Sequence, residues 1–495
     1  MQQIMNKSNR SYAKKCFKKA INLGVNFKLG QKVNKKHFNL DKLDNLLKLP
    51  VQESSNDNII REFKEQILPY CTNFSNEKFM GFPDAGNSIS GITGAIISDF
   101  MQQNLINSSF CAPIATFMEI AVVNWLRQIV NYEVIKPKDI LDVGGIITYG
   151  GTGSNVTALL LARENFHHNT MINGVENPKS YKVIIPKGIG HYSIQSGLMW
   201  IGCGNNIIEV ETKDFKYDLN KLKIVLEENK GQVMCVVAYA GDSRTMTIDN
   251  LKEIRDLVKS IDSNTWLHVD ACHGFSLAFS NKLKYKVKDL NLYDSISMDP
   301  HKVLALPYCI SALLVKDPKK MKLISSSSDL IMKEDFSFGQ ITPFIGSKSW
   351  ISLKLWFAIK SIGIEGFGKI IEKRCEMANY LKNKIINLDE FVLLNDVEIN
   401  SVVFMYVGSR RNIKQTNINK LNNLNLSIYN KLMEEGQYYL HKFMINDNKG
   451  VIKKDAIIIP LRYMSGNDNI KRRDIDNMLE HIKIIAKECY NEYFM

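Results

Sequence analysis

Ile146-Ile147-Thr148-Tyr149-Gly150-Gly151-Thr152-Gly153-Ser154-Asn155-Val156 is a short apolar strand that runs into a glycine-rich turn, and Val156 to Asn165 continues as a helix. The rhythm then repeats. Tyr181 to Ile185 predicts a strand ahead of a helix from about His191 to Met199, and Ile207 to Glu211 a strand ahead of a helix that Asp218 caps and that ends near Glu228. Val233 to Tyr239 is wholly apolar, Asp249 is the expected cap of a helix through Lys259, and Trp266 to Val269 and Asp294 to Ser297 complete the series. Strands alternating with helices at this spacing imply βαβ units and a largely parallel sheet, whose strand ends are the natural place for a site.

Outward from this α/β block the pattern changes. Upstream, residues 57 to 69 read as a helix, Gly81-Phe82-Pro83-Asp84-Ala85-Gly86 as a loop, and residues 90 to 132 as helical. Downstream of Asp317, residues 318 to 345 are polar and loop-like, with a four-serine run from Ser325 to Ser328. A helical stretch from about Ser349 to Lys384, broken near Gly363 to Gly368, leads to expected strands at Ser401 to Tyr406 and Ala456 to Leu461. The expected division is a basic arm and helical segment over 1–95, a large domain over 96–375 and a small C-terminal α/β domain over 376–495.

The 495 residues carry 64 Lys and Arg against 51 Asp and Glu, a formal charge of +13 that makes nucleic acid or an anionic membrane surface the first partner to consider. The excess is local. Lys7, Arg10, Lys14, Lys15, Lys18, Lys19, Lys28, Lys32, Lys35 and Lys36 precede the first acid, Asp41, leaving 54 basic against 51 acidic residues thereafter. Gly24, Gly30 and scattered asparagines interrupt any sustained amphipathic helix there, so the arm is expected to be a plain solvated extension, with a transit peptide or surface-binding arm as alternatives. The body lacks basic stripes interleaved with aromatics, which speaks against nucleic acid as a partner. No apolar run reaches the ~18 residues of a membrane span. Nine widely spaced cysteines without a CxxC pair argue for reduced thiols in the cytoplasm and against a metal site.

Four short stretches carry chemistry when taken together. Glycines and hydroxyls at Gly150 to Asn155 open a helix and offer donors to a phosphate, although a tight turn explains them as well. Asp270 in His268-Val269-Asp270-Ala271 ends a buried strand, where a carboxylate is a helix cap, an internal salt-bridge partner or the partner of a protonated heterocyclic nitrogen. Lys302 in Asp299-Pro300-His301-Lys302 precedes Val303, Leu304, Ala305 and Leu306; desolvation there would disfavour its charged form and make it an amine nucleophile. His191-Tyr192-Ser193 stands at a helix start, where a histidine is ordinarily a satisfied cap.

These stretches resemble the pyridoxal 5′-phosphate-dependent group II amino-acid decarboxylases, a family that includes glutamate, aromatic amino acid and diaminobutyrate decarboxylases. The match lies in the order and spacing of Gly151-Thr152-Gly153-Ser154-Asn155, His191-Tyr192-Ser193-Ile194, His268-Val269-Asp270-Ala271 and Asp299-Pro300-His301-Lys302, with Lys302 lying 32 positions after Asp270. Met101-Gln102-Gln103-Asn104 through Ala112-Pro113-Ile114-Ala115-Thr116 also looks like the family. The resemblance spans roughly residues 60 to 490 and implies a fold-type I enzyme of amino-acid metabolism. Its large domain would hold a mostly parallel seven-stranded sheet, and the molecule would be a homodimer with the site at the interface. It further implies a Schiff base at Lys302, Asp270 on the pyridinium nitrogen, His191 on one ring face and Ala271 leaving room on the other. Thr152, Gly153, Ser154 and His301 would surround the phosphate, Ser243 would stand near the cofactor, and Arg462 would receive a carboxylate unless it is a surface strand residue.

Two departures bear on the reaction. Asp242 is unusual beside Ser243. No tyrosine lies between Tyr308 and Tyr380, where the family often carries a mobile-loop proton donor; Phe336 and Phe338 stand there instead, as in related aldehyde synthases, with Lys333, Glu334 or His191 as other proton sources. The expected reaction is decarboxylation of an L-amino acid to the amine, with oxidative aldehyde formation as the alternative and polyanion binding as a remote third. Met80-Gly81-Phe82-Pro83 offers no partner for a side-chain carboxylate, which tilts the substrate toward an aromatic or other side chain with Phe82 in contact. Arg462 or Arg244 could still receive an acid.

Overall fold

A computed structural model describes residues 4–30, 32–33, 38–326, 328, 336–411 and 413–494. Lys35, Lys36, Lys333 and Glu334 lie outside the described residues. The sheet expected from the strand-helix alternation is present: β1 (Gly145–Thr148), β2 (Lys182–Pro186), β3 (Ile207–Val210), β4 (Val233–Tyr239), β5 (Trp266–Asp270), β6 (Ser295–Met298) and β7 (Ser311–Val315) pair in the order β1-β7-β6-β5-β4-β2-β3. β7 runs antiparallel to both neighbours, and the rest are parallel. Strand β7 carries little signal in the sequence, because its wholly buried run has no alternation and closely follows the apolar Val303–Leu306.

Register places the site. Tyr239 lies opposite Asp270, and Asp270 opposite Ser297, so the carboxyl ends of β4, β5 and β6 form one edge. Because β7 is reversed, its first residue, Ser311, pairs with Thr148 at that same edge. Strands β4, β5 and β6 are buried along their whole length, as a parallel sheet covered on both faces requires.

A second sheet of β8 (Phe391–Leu393), β9 (Ser401–Tyr406), β10 (His441–Lys442) and β11 (Leu461–Met464) is antiparallel in the order β8-β9-β11-β10. Helices Ile418–Glu435 and Arg472–Phe494 pack on it. The expected single strand from Ala456 to Leu461 is in fact two pieces. Ile457–Ile458 pairs with Ile445–Asn446, Pro460 interrupts, and β11 joins the four-stranded sheet. Helix Ser352–Asn387 links the two sheets and kinks at Gly363, where φ is +73°.

Other expectations are corrected. Residues 90 to 132 hold two helices, Ile89–Met101 and Ala115–Ile129, the first ended by Gln102 in a left-handed conformation (φ 52°). Asp249 does not cap its helix; its carboxylate accepts the amides of Tyr239 at 2.8 Å and Tyr217 at 3.2 Å. The basic arm is not a plain solvated extension, since Arg10–Lys28 is a 19-residue helix. Gly24 sits inside it with nothing near its missing side chain, so its cost is only the ~1 kcal/mol of a helical glycine. Docking offsets that cost: Asn73 Nδ2 donates to Phe27 O at 2.8 Å, Lys28 Nζ to Ser75 Oγ at 3.1 Å, and Phe17 meets the Phe100 ring edge-on at 5.0 Å. No helix among the described residues is long and apolar enough to cross a membrane.

Candidate active site

A cavity of about 320 Å³ opens between the carboxyl edge of the large sheet and the edge of the small one. Lys302, Asp270, His191, Thr152, Ser243, His301, Phe82 and Arg462 all line it. Of the remaining sequence candidates, Gly153, Ser154 and Ala271 stand behind its wall. The Ser154 hydroxyl bonds Thr148 Oγ1 at 2.7 Å, Gly153 N donates to Gly150 O at 3.0 Å, and Ala271 N donates to Ser297 O at 3.0 Å. Arg244 is not part of the lining either.

The glycine-rich turn is shaped by close approach. Gly150 has φ +90°, and a side chain on Gly151 would come within 2.7 Å of Cys272 Sγ and 2.8 Å of Asp299 Oδ2. Glycine therefore lets the start of helix Gly151–Phe166 press against the Asp299–Lys302 segment, with Thr152 facing the cavity. This helix start leaves backbone N–H groups without intrahelical partners, a favourable environment for an anion.

Asp270 is the sheet's contribution. Its Oδ2 accepts Asn155 Nδ2 at 2.9 Å and its Oδ1 accepts the Cys272 amide at 3.1 Å. Burial alone would push this carboxyl up; Lys302 and hydrogen bonds from Asn155 and Cys272 outweigh it and hold it below the usual carboxylate range. Asn155 is the hub of a directional chain. Trp266 Nε1 donates to Ser295 Oγ at 2.8 Å, Ser295 bonds His268 Nδ1 at 2.8 Å, and His268 Nε2 bonds Asn155 Oδ1 at 3.0 Å. Because an amide oxygen only accepts, His268 carries its proton on Nε2. Asn155 Nδ2 also donates to Ser193 Oγ at 2.8 Å, which leaves the serine proton to point to His191 Nδ1 at 2.6 Å. His191 thus carries its own proton on Nε2. Its Nδ1 also caps helix Tyr192–Trp200 by accepting the Ser193 amide, so the cap and the cavity-lining roles coexist. Burial lowers the imidazole's pKa and keeps it neutral.

Lys302 differs electrostatically from its sequence expectation. Desolvation does act to lower its pKa, but Asp299 Oδ2 at 2.8 Å and Asp270 outweigh it, and the amine is held above the ordinary lysine value. The apolar neighbours that suggested a neutral amine turn into the core, while the charges come from strand ends that no local window contains. Asp299 is itself anchored by the Ser311 hydroxyl.

Arg462 is no surface residue. It lies on β11 and is 3% exposed, with Nη2 donating to Gly81 O at 3.1 Å and Nη1 to Ser243 O. Its guanidinium stacks over Phe82 at 5.2 Å and Phe443 at 5.6 Å. Its buried Nε has no hydrogen-bond partner among the described residues, and burial pulls its pKa down to about 10. Asp242 is spent on its own loop, accepting the amides of Arg244 at 2.7 Å, Thr245 at 2.8 Å and Thr247 at 2.8 Å. That loop positions Ser243.

Several lining residues were not selected from sequence: Asp84, Cys272, His273, Tyr239 and Tyr308. Asp84 sits in the Gly81–Gly86 loop, a segment with no periodic signal, which is brought in by its stitching to the small sheet. Met80 N donates to Tyr439 O at 2.8 Å and Met464 N to Met80 O at 2.7 Å. Tyr308 stands at the upstream edge of the tyrosine-free stretch that ends at Tyr380. Of the two loop phenylalanines, Phe338 is fully buried and Phe336 packs on Phe117 at 5.2 Å.

The arrangement combines a lysine amine, an ionised carboxylate, an anion-binding helix start and an unpaired buried guanidinium. The profile described as the pyridoxal-dependent decarboxylase conserved domain matches residues 40–407. The chain is 22% identical over 488 residues to an aromatic-L-amino-acid decarboxylase of Bacillus atrophaeus, covering 92% of this chain and 94% of that one. It is 29% identical over 321 residues to an L-2,4-diaminobutyrate decarboxylase of Acinetobacter baumannii, covering 60% and 61%. The crystal structure of Oryza sativa TDC with PLP and tryptamine superposes with a TM-score of 0.86 at 18% identity, covering 98% of this chain and 99% of that one. The chain is a pyridoxal phosphate-dependent carboxy-lyase acting on an amino acid and belongs to the pyridoxal-dependent decarboxylase family.

Proposed function

We propose that the chain removes the α-carboxylate of an L-amino acid with pyridoxal 5′-phosphate attached covalently at Lys302, releasing carbon dioxide and the amine. The observation that carries this is the shared cavity wall of Lys302 and Asp270, with Asp270 held ionised by Asn155 and the Cys272 amide. An ionised carboxylate in this position fits a protonated ring nitrogen and little else among common cofactors. When bound, the cofactor supplies a sink for the electron pair that a departing carboxylate leaves on the α carbon.

The residues divide the work. Thr152 and His301 would hold the phosphate, with Gly153 and Ser154 shaping the turn around it. His191, neutral and protonated on Nε2, would lie against one ring face, and the small Ala271 behind the wall would leave space on the other. Ser243 and Phe82 would flank cofactor and substrate. Arg462 would receive a carboxylate at its unpaired Nε, since a buried guanidinium without an acidic partner is strongly unfavourable. Tyr308 lines the cavity with its hydroxyl bonded to Asp84, whereas Phe336 and Phe338 are turned into packing contacts. This favours the amine product over the aldehyde.

The same proposal includes a homodimer in the cytoplasm with the division into 1–95, 96–375 and 376–495. Exposed Ile89, Phe100, Phe110, Ile114 and Phe117 cluster on and between two consecutive helices and suit a second copy of the chain. Widely spaced cysteines support the reducing compartment.

The test is a screen of the common L-amino acids for carbon dioxide release by cofactor-loaded protein, with amine, ammonia and peroxide measured together. The proposal expects carbon dioxide and amine in equal amounts. Stoichiometric ammonia and peroxide would overturn the amine product, and no carbon dioxide from any amino acid would overturn the reaction.

A further inference from the structure

The decarboxylase reading leaves one charged group in the cavity without a task. Asp84 lines the wall beside Lys302, His301 and Tyr308. The Tyr308 hydroxyl bonds its carboxyl, but Oδ1 is sealed from solvent and has no hydrogen-bond partner among the described residues. Lys302 is the strongest charge acting on it, followed by His301. Once the Lys302 amine is committed to the cofactor, it can no longer turn to Asp84, and a buried carboxylate left without a cation is strongly disfavoured.

The loop holding Asp84 is fixed. Besides the stitching of Met80 to the small sheet, Ser75 Oγ donates to Ala85 O at 3.0 Å and Ser88 N to Ala305 O at 2.9 Å. Its other end carries Gly81 O and Phe82, both in contact with Arg462. The rim is therefore bipolar, with a guanidinium at one end of a short loop and a carboxylate at the other. A substrate with an acidic side chain would add negative charge to a wall that already holds Asp84, Asp270 and Asp299. A neutral aromatic side chain would leave Asp84 Oδ1 unpaired. A side chain ending in an ammonium group pairs it.

We propose that Asp84 is a specificity-determining residue that receives the distal ammonium of the substrate, which makes the substrate class a diamino acid. The inference rests on the decarboxylase reading and deepens it. Burial holds the Asp84 carboxyl above the ordinary range, in keeping with a site that awaits a cation.

Cofactor-loaded wild-type protein and Asp84→Asn are to be compared by kcat/KM on L-2,4-diaminobutyrate, L-ornithine and L-lysine against L-phenylalanine and L-glutamate. Calorimetric titration with 1,3-diaminopropane reads amine binding independently of turnover. Wild type is expected to prefer at least one diamino acid, and Asp84→Asn to lower that kcat/KM by about a hundredfold, mostly through KM, with a parallel loss of diamine affinity. Faster turnover of phenylalanine or glutamate than of every diamino acid by wild type overturns the proposal. So does an equal fall in kcat for all substrates in the variant, which would make Asp84 a proton donor instead. If no amino acid releases carbon dioxide while the cofactor is bound, the decarboxylase reading fails, and the diamine titration alone then judges Asp84. Asp84→Ser replaces Asp84→Asn if the latter fails to fold, with cofactor absorbance as the folding control.

Discussion

Two lysines touch a carboxylate at the same distance. Lys302 Nζ is 2.8 Å from Asp299, and Lys348 Nζ is 2.8 Å from Glu119. Lys348 and Glu119 are completely enclosed; the same ammonium donates to Ile147 O at 2.8 Å and sits over the Phe338 ring at 5.5 Å. Lys302 keeps 24% of its side chain exposed and shares its cavity with atoms that have no hydrogen-bond partner among the described residues, Asp84 Oδ1 and Arg462 Nε. A charge pair in the interior thus marks no site by itself. What separates the two is the open volume beside Lys302, since Glu119 Oε2 in the enclosed pair also lacks a hydrogen-bond partner among the described residues. Lys348 instead ties β1, just ahead of the phosphate turn, to helix Ala115–Ile129.

The largest expected effect is at Lys302. Lys302→Ala should lower turnover roughly a million-fold, the scale of losing a covalent catalytic group, and abolish the cofactor's visible absorption while the protein still unfolds cooperatively. Retained absorption would break the contrast with Lys348. At the enclosed pair the loss should be one of stability. Lys348→Met should cost about 3–5 kcal/mol in urea denaturation because it leaves Glu119 charged and alone, and Glu119→Leu in the same protein should recover most of it. A loss of cofactor from molecules that remain folded would give Lys348 a functional role and sink the distinction.

Asp249 sharpens the comparison as a buried carboxyl with no cation in contact. Burial pushes it up to about 7, and burial pulls His268 down to about 4. The folded state keeps a proton on Asp249 that the unfolded chain gives up, so this group loses stability as pH rises from about 4 to about 7. His268 resists a proton that the unfolded chain accepts, so it gains stability as pH rises from about 4 to about 6.5. The two slopes nearly cancel. Asp249→Asn should uncover a rise of roughly 3 kcal/mol across the His268 window, measured by denaturation at several pH values. An unchanged profile would mean that Asp249 is ionised in the fold. The smallest effect is expected at the arm. Asn73→Ala should cost about 1 kcal/mol through the lost hydrogen bond to Phe27 O.

Much of the large sheet was legible because β4 and β5 are apolar throughout and their helices carry ordinary caps such as Asp218. Where a local rule met a tertiary partner, the partner prevailed. Asp249 looked like a cap but serves two strand amides, and Gly24 looked like a breaker but is carried by a docked helix. In the site, Lys302, Asp270, His191, Thr152 and His301 were visible because their motifs recur in a known family. Asp84 and Tyr308 were not, since nothing in their own segments signals that the Gly81–Gly86 loop is stitched to the small sheet or that Tyr308 turns toward Lys302. The charge state of Lys302 was misjudged for the same reason. Its neighbours in sequence are apolar, while its neighbours in space are Asp299 and Asp270.

The central claim is that the open lysine, and not the enclosed one, carries the cofactor. Borohydride reduction of the cofactor-loaded protein, followed by peptide mass spectrometry, tests it directly. A pyridoxyl adduct on Lys302 alone is the expected result; an adduct on Lys348 or on any other lysine, with Lys302 unmodified, would contradict it.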